Sequence, residues 1–232
     1  MIKVENIEVF NFEGAIRGMR NPMNSWDKSD SEYKVVHVDQ FSLEETKDFV
    51  IGDNDLDLMK RLYKAGTEHR KYLRQIFVSM DITAPDYWFK EFSTYKIGTV
   101  ENSTSTMHRI HAKEFDIDDF SNEHLTDETV NAYYKQGEYN CCLSGISAYD
   151  WINETTAVLN AYREKYLETK DKKYWWQMIQ LLPMSYNYKR TVTMNYENVM
   201  TIIKQRTGHK LDEWNEFVDT LKELPYIKEI ME

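Results

Sequence analysis

Hydrophobic and polar positions alternate most cleanly over residues 75–83. Ile76, Val78, Met80 and Ile82 fall on one face, and Gln75, Ser79, Asp81 and Thr83 on the other. A period of two marks a half-buried strand. The period then lengthens. Pro85 sits where a first helical turn tolerates a missing N–H, with Thr83 placed to cap it. Trp88, Phe92 and Tyr95 follow at i, i+4 and i+7, the stripe of a helix. The run 97–106, dense in hydroxyls, amide and charge, is too polar for core and reads as an ordered turn.

The same reading extends to both sides. Val4, Ile7, Val9 and Phe10 place a first strand at 2–10, and a second short strand falls at 33–38. A short helix is expected at 43–49, capped by Ser42 with Glu44 and Glu45 in its first turn. A further helix at 55–65 carries Leu56, Met59, Leu62 and Tyr63 on one face, with Gly66 as its stop. From 126 to 182 the pattern reads as helical throughout. Thr126 caps a helix that Gly137 ends, and 141–146 forms a small, apolar buried bend. A long helix runs from Ala148 or Asp150 to about Leu167, with Leu159, Tyr162 and Tyr166 at helical spacing. Another spans 172–182, with Trp175, Trp176, Ile179 and Leu182 as its stripe and Pro183 as its stop.

Composition narrows the class. At 232 residues, with 41% hydrophobic and 14% aromatic, the chain can bury the core of one domain over 1–232. Lys and Arg total 29 against 39 Asp and Glu. The resulting charge of −10 gives no long-range attraction for nucleic acid or an anionic membrane. No early apolar segment suggests a signal peptide, and no apolar run reaches the ~18 residues of a membrane span. Adjacent Cys141 and Cys142 read as a reduced thiol pair, which points to the cytoplasm. His108 and His111 share a helix face, with only Glu114 as a third donor. Metal sites need three or four converging ligands, so no metal is expected.

A strand, an Ala-Pro step, an aromatic helix, a basic/aromatic triplet and a spaced hydroxyl pattern together resemble the flavin-dependent thymidylate synthases. That family's motif is R-H-R-x-x-S-x-N-x-x-S-x-R. Laid on this chain, the triplet falls on Thr94, Tyr95 and Lys96. The serines fall on Thr99 and Thr104, the asparagine on Glu101 and the last arginine on Thr106. A one-residue slide brings Asn102 and Ser105 into the N-x-x-S spacing. Ala15-Ile16-Arg17 is similar in place to the family's A-A-R. Arg17 and Arg20 there either face a phosphate or are solvated. Glu68-His69-Arg70 resembles a diverged turn that lines the flavin and folate side. His69 is either a proton relay, since histidine titrates near neutrality, or an idle loop residue. In the C-terminal third, Asn195 lies twelve residues after the Leu182-Pro183 pair and Arg206 eleven after Asn195, followed by Asp212-Glu213-Trp214. This spacing is similar to the family's L-P…N-x(10)-R pattern. Asn195 can equally be the cap of a helix at 196–205, and Arg206 its last-turn cation. The resemblance spans 1–110 and 180–217.

The resemblance implies an α+β fold with a small mixed or antiparallel sheet flanked by helices, assembled as a homo-oligomer, a tetramer. It implies one-carbon transfer to a pyrimidine deoxynucleotide such as dUMP. Methylenetetrahydrofolate would be the donor, reduced FAD the hydride carrier and NADPH the reductant. Arg206 would polarise the pyrimidine as catalytic residue. His69, Tyr95, Lys96, Asn102, Asn195 and His209 would line the cofactor, and Thr99, Thr104, Ser105 and Arg206 the substrate. Thr94, Thr106 and Glu197 stand where the family tends to have arginine, and Glu91 where it has an amide. Losing guanidinium donors weakens dianion binding. A catalytically diverged nucleotide- or partner-binding scaffold, or a flavoenzyme acting on a modified nucleotide, is therefore the alternative.

Overall fold

The alternating strand is present and anchors the larger part of the chain. In the computed structural model, which describes residues 2–38 and 45–232, Ile76, Val78, Met80, Ile82 and Ala84 are all buried. The chain runs β1 (Lys3–Phe10), α1 (Phe12–Arg20), β2 (Glu32–Val38), β3 (Glu45–Val50), α2 (Asp53–Lys64), β4 (Phe77–Pro85), α3 (Asp86–Phe92) and β5 (Thr99–Ser103). It continues through α4 (Thr106–Arg109), β6 (Thr129–Gln136), β7 (Tyr139–Ser147), α5 (Ala148–Thr169) and α6 (Lys172–Leu181). It ends with β8 (Asn187–Asn195), α7 (Tyr196–Arg206), α8 (Asp212–Lys222) and α9 (Ile227–Met231). Four strands form a sheet in the order β1-β4-β8-β5, while β2–β3 and β6–β7 are separate antiparallel hairpins. The α+β class with small sheets flanked by helices is as expected. Among the described residues, no helix is long and apolar enough to cross a membrane.

Contacts divide the chain into two units. The larger comprises 4–82, 94–102 and 191–232, and the smaller comprises the chain through Lys3, 83–93 and 103–190. In the larger unit, buried Ala15, Ile16 and Met19 of α1, Leu58 and Met59 of α2, Val199, Ile202 and Ile203 of α7, and Trp214 and Phe217 of α8 build the core. The polar positions of β4 are satisfied across the sheet. Asp81 accepts from Thr191 Oγ1 at 2.6 Å and from Asn6 Nδ2 at 3.0 Å. In the smaller unit, α5 and α6 enclose Phe115, Phe120, Ile152, Leu159, Trp175 and Met178.

The long helix is capped by Ser147, whose Oγ accepts from Asp150 N at 2.9 Å while Asp150 reciprocates as a capping box. Hydrogen bonds from the Ser147 hydroxyl and amide hold the Asp150 carboxyl below its ordinary pKa.

Several expectations are corrected. The helix ended by Gly137 is instead the β6–β7 hairpin. Val130, Tyr133 and Tyr134 suit a strand, and Gly137 at φ +64 turns a hairpin with Gln136 opposite Tyr139. The buried bend at 141–146 is strand β7, largely exposed. Asn131 Oδ1 there takes Ser144 Oγ and Gly145 N at a register shift. The helix expected at 43–49 is strand β3 from Glu45 onward, held by Tyr33 packing edge-to-face on Phe49 at 5.2 Å. The cap assigned to Ser42 lies outside the described residues. Thr83 does not cap α3, because β4 extends through Pro85, which takes the cap position itself. The 97–106 turn contains strand β5 and the start of α4.

Candidate functional site

Helix α7 organises the residues singled out from the sequence. Its N-cap is Asn195, a buried side chain whose Oδ1 accepts from Asn198 N at 3.0 Å. Asn198 then reaches sideways, donating through Nδ2 to Ile97 O at 2.7 Å and to Thr99 Oγ1 at 2.9 Å. Thr99 Oγ1 donates to Tyr95 O at 2.7 Å. Gly98 has φ +74, and a Cβ there would lie 2.5 Å from Asn195 Nδ2, so only glycine lets the loop press this closely on the cap.

At the other end of α7 stands Arg206, half-buried. Its Nε donates to Tyr95 Oη at 2.7 Å, and its guanidinium lies 4.6 Å from the centre of the Trp214 ring and 5.4 Å from that of Tyr95. Tyr95 Oη donates to Gln205 Oε1 at 2.9 Å. Its ring meets Trp214 edge-on at 6.1 Å, and His209 meets the same indole at 6.2 Å. His209 Nδ1 accepts from Leu211 N at 3.2 Å. Tyr95, Thr99, Asn195, Arg206 and His209 are thus brought together along one helix. A guanidinium stacked on aromatic faces is attracted by their quadrupoles while it keeps its charge.

The other candidates take no part in these hydrogen bonds and ring contacts. Lys96 is exposed in the loop beside Tyr95, and Asn102 is exposed on β5. In the smaller unit, Thr104 N donates to Lys189 O, and Ser105 caps α4 by accepting from His108 N at 3.3 Å. His69 is exposed in a turn and lines a separate cleft of about 530 Å³ with Met23, Leu62, Lys71 and Gln75. A larger cleft, about 1230 Å³, lies elsewhere in the larger unit against Phe10, Arg17, Tyr33, Phe49 and Tyr226. It is lined by none of the predicted site residues except Arg17 of the phosphate pair. Arg20, by contrast, is neither solvated nor turned to a phosphate. It is buried, with Nε on Asp55 Oδ1 at 2.6 Å and Nη1 and Nη2 on Ser25 O and Lys28 O. Among the described residues no metal-binding group of three or more side chains occurs.

Two features escape a reading by spacing. Gln205 completes the Tyr95 hydroxyl's bonding, although an amide on a helix carries no signal of that role. Glu197, a carboxylate at a position noted for lacking arginine, is not left as a lone negative charge. It accepts from Arg70 Nε at 2.9 Å and Arg74 Nε at 3.2 Å, contacts 127 and 123 residues apart in sequence. Tyr72 nearby donates to Met59 O, and burial pushes its hydroxyl pKa well up.

No protein-family model matches the chain, and no curated protein matches it. Solved structures do. The chain is similar in fold to thymidylate synthase ThyX from Helicobacter pylori, crystallised with FAD and dUMP, with a TM-score of 0.60 at 15% identity. The match covers 95% of this chain and 91% of that one. A second structure of the flavin-dependent ThyX from H. pylori complexed with FAD and dUMP gives the same score and identity over 94% and 91%. The UMP/dUMP methylase PolB from Streptomyces cacaoi, bound with 5-Br dUMP, gives 0.53 at 13% identity over 96% and 88%. The fold implied by the sequence motifs is therefore the fold observed.

Proposed function

We propose that this chain binds a flavin and a pyrimidine nucleotide and transfers a one-carbon unit to C5 of the pyrimidine. Methylenetetrahydrofolate would be the donor and NADPH the source of reducing equivalents. The observation that carries this reading is Arg206. It is held at the end of α7 between Tyr95 and Trp214, within a fold shared with structures that contain FAD and dUMP. The Tyr95 hydroxyl and the Trp214 face orient the guanidinium, and an oriented guanidinium can favour negative charge that develops on a carbonyl.

The residues fit a flat, hydrogen-bonding ligand. Gly98 strips the 95–99 loop of a side chain where it meets the Asn195 amide, leaving backbone groups along that edge. Asn195 and His209 on this row are the proposed cofactor contacts, and Lys96 and Asn102 of the neighbouring loop and strand are proposed for the same ligand. Thr99, tied to Asn198 at the start of α7, is the proposed nucleotide contact of this row. When bound, a reduced flavin would supply the hydride equivalent that a methyl product requires. Arg206 holds the pyrimidine edge and favours the charge that develops there. Homo-oligomeric assembly and a cytoplasmic setting belong to the same proposal.

The test is direct. The purified protein, loaded with FAD and desalted, should keep a visible flavin band. Titration with dUMP should show saturable binding that Arg206→Ala weakens by about 100-fold, the scale of losing a charged hydrogen-bond donor. A folded protein that retains no flavin at any loading would sink the flavoenzyme reading in favour of a nucleotide- or partner-binding scaffold.

A further inference from the structure

We infer that the Tyr95 hydroxyl is a positioning residue for Arg206, acting on the nucleotide through that arginine and not by touching cofactor or substrate itself. This rests on the proposed function, and it assigns Tyr95 a role that differs from a flavin contact.

The geometry carries it in three steps. A phenol has one proton to give, and Tyr95 gives it to Gln205 Oε1 at 2.9 Å, so a lone pair faces the Arg206 Nε–H at 2.7 Å. Both directions of the hydroxyl are thereby fixed by two consecutive residues at the end of α7. Next, the guanidinium plane is set by the Trp214 face at 4.6 Å and by the Nε bond together. A plane fixed at one edge fixes the direction of the Nη fork at the other. Finally, the loop that carries Tyr95 is tied to the opposite end of the same helix, through Asn198 Nδ2 on Ile97 O and Thr99 Oγ1. From Asn198 to Arg206 is about 12 Å of helix at 1.5 Å per residue. The 95–99 loop and α7 are therefore stapled at both ends, and movement of the loop is movement of the arginine. Such support of a binding group by a locked neighbour is what keeps its geometry within a fraction of an ångström.

A double-mutant cycle tests this: wild type, Tyr95→Phe, Arg206→Lys and the double variant, each measured for dUMP affinity by calorimetry, flavin retention and Tm. Tyr95→Phe keeps the ring against Trp214 and removes only the oxygen. The expected result is about tenfold weaker dUMP binding with flavin retention and Tm essentially unchanged. On the Arg206→Lys background the same substitution should cost less than twofold, because lysine has no Nε–H to orient. An equal loss on both backgrounds would show Tyr95 acting on its own and overturn the inference. So would flavin loss with unchanged dUMP affinity, a fall in Tm that accounts for the affinity loss, or no loss at all. If the wild type binds dUMP and Tyr95→Phe binds it equally, this inference alone fails. If the wild type binds neither flavin nor dUMP, the functional reading fails and takes the inference with it.

Discussion

Two arginines of the larger unit show how one residue type serves opposite ends. Arg20 is buried at the end of α1. Its guanidinium meets the Asp55 carboxylate and two backbone carbonyls, while the other Asp55 oxygen accepts from Ser29, Ser31 and two backbone amides. Every charge there is matched within the chain. Arg206 is half-buried at the end of α7, on a phenol oxygen and two aromatic faces. A guanidinium buried among its carboxylate and carbonyl partners has little left to offer a ligand, whereas one oriented at a half-buried helix end can still present part of its edge. Placement at a helix end does not decide function; the partner does.

The largest effect should come from breaking the matched site. Asp55→Ala would strand the Arg20 guanidinium in the interior and cost about 3–5 kcal/mol in chemical denaturation, the usual scale for removing one partner of a buried pair. If the cost were under about 1 kcal/mol, the comparison would collapse. The same carboxylate sets an acid limit. Burial pushes its pKa up, but hydrogen bonds from Ser31, Ser29 and Arg20 and the charge of Arg20 outweigh that, leaving it lowered from the ordinary value. A carboxyl depressed on folding contributes stability that is fully present above its unfolded pKa of about 3.9 and is lost as pH falls through the lower folded pKa. Asp55→Asn should therefore flatten the acid limb of a stability-versus-pH curve at the cost of lower stability at neutral pH.

Glu197 sharpens the contrast from between the two extremes. It holds Arg70, mostly buried, and Arg74, half exposed, by their Nε atoms alone. Glu197→Gln keeps an oxygen acceptor and removes the charge, so its cost should be about 1.5–3 kcal/mol, the range for hydrogen bonds to charged groups. A loss as large as that of Asp55→Ala would mean that Glu197 belongs with the fully matched class.

What could be read from the sequence follows the range of the interaction concerned. The β4 alternation, the α5 stripe, and Asn195 and Arg206 as cap and last-turn cation of α7 are local, and each is where its spacing placed it. The α6 stripe is shifted, with Trp176 exposed and Met178 buried in its stead. Arg20 escapes a local reading because its partner is 35 residues away, and nothing local marks an arginine as buried. The Arg206–Tyr95 bond spans 111 residues and was equally invisible. The hairpin was lost for another reason. Thr126, Asp127 and Glu128 mimic a helix start, and a glycine at positive φ ends a helix or turns a hairpin with the same backbone. Only the β-branched and aromatic content at Val130, Tyr133 and Tyr134 favoured the strand, and propensity in strands depends heavily on context.

The smallest effect on stability is expected at Arg206 itself. A half-exposed cation–π contact is worth about 0.5–1 kcal/mol, and its hydrogen bond to a phenol a similar amount after exchange with water. Trp214 is fully buried and Phe217 packs beside it at 6.1 Å, so the aromatic wall does not depend on the guanidinium for its shape. Arg206→Ala should accordingly unfold within about 1–2 kcal/mol of wild type while losing most of its affinity for dUMP. Thermal melts run beside the binding titration separate the two quantities in one preparation. A loss of 3 kcal/mol or more would place Arg206 with Arg20 as a structural charge, and its weakened binding would then report damage to the fold.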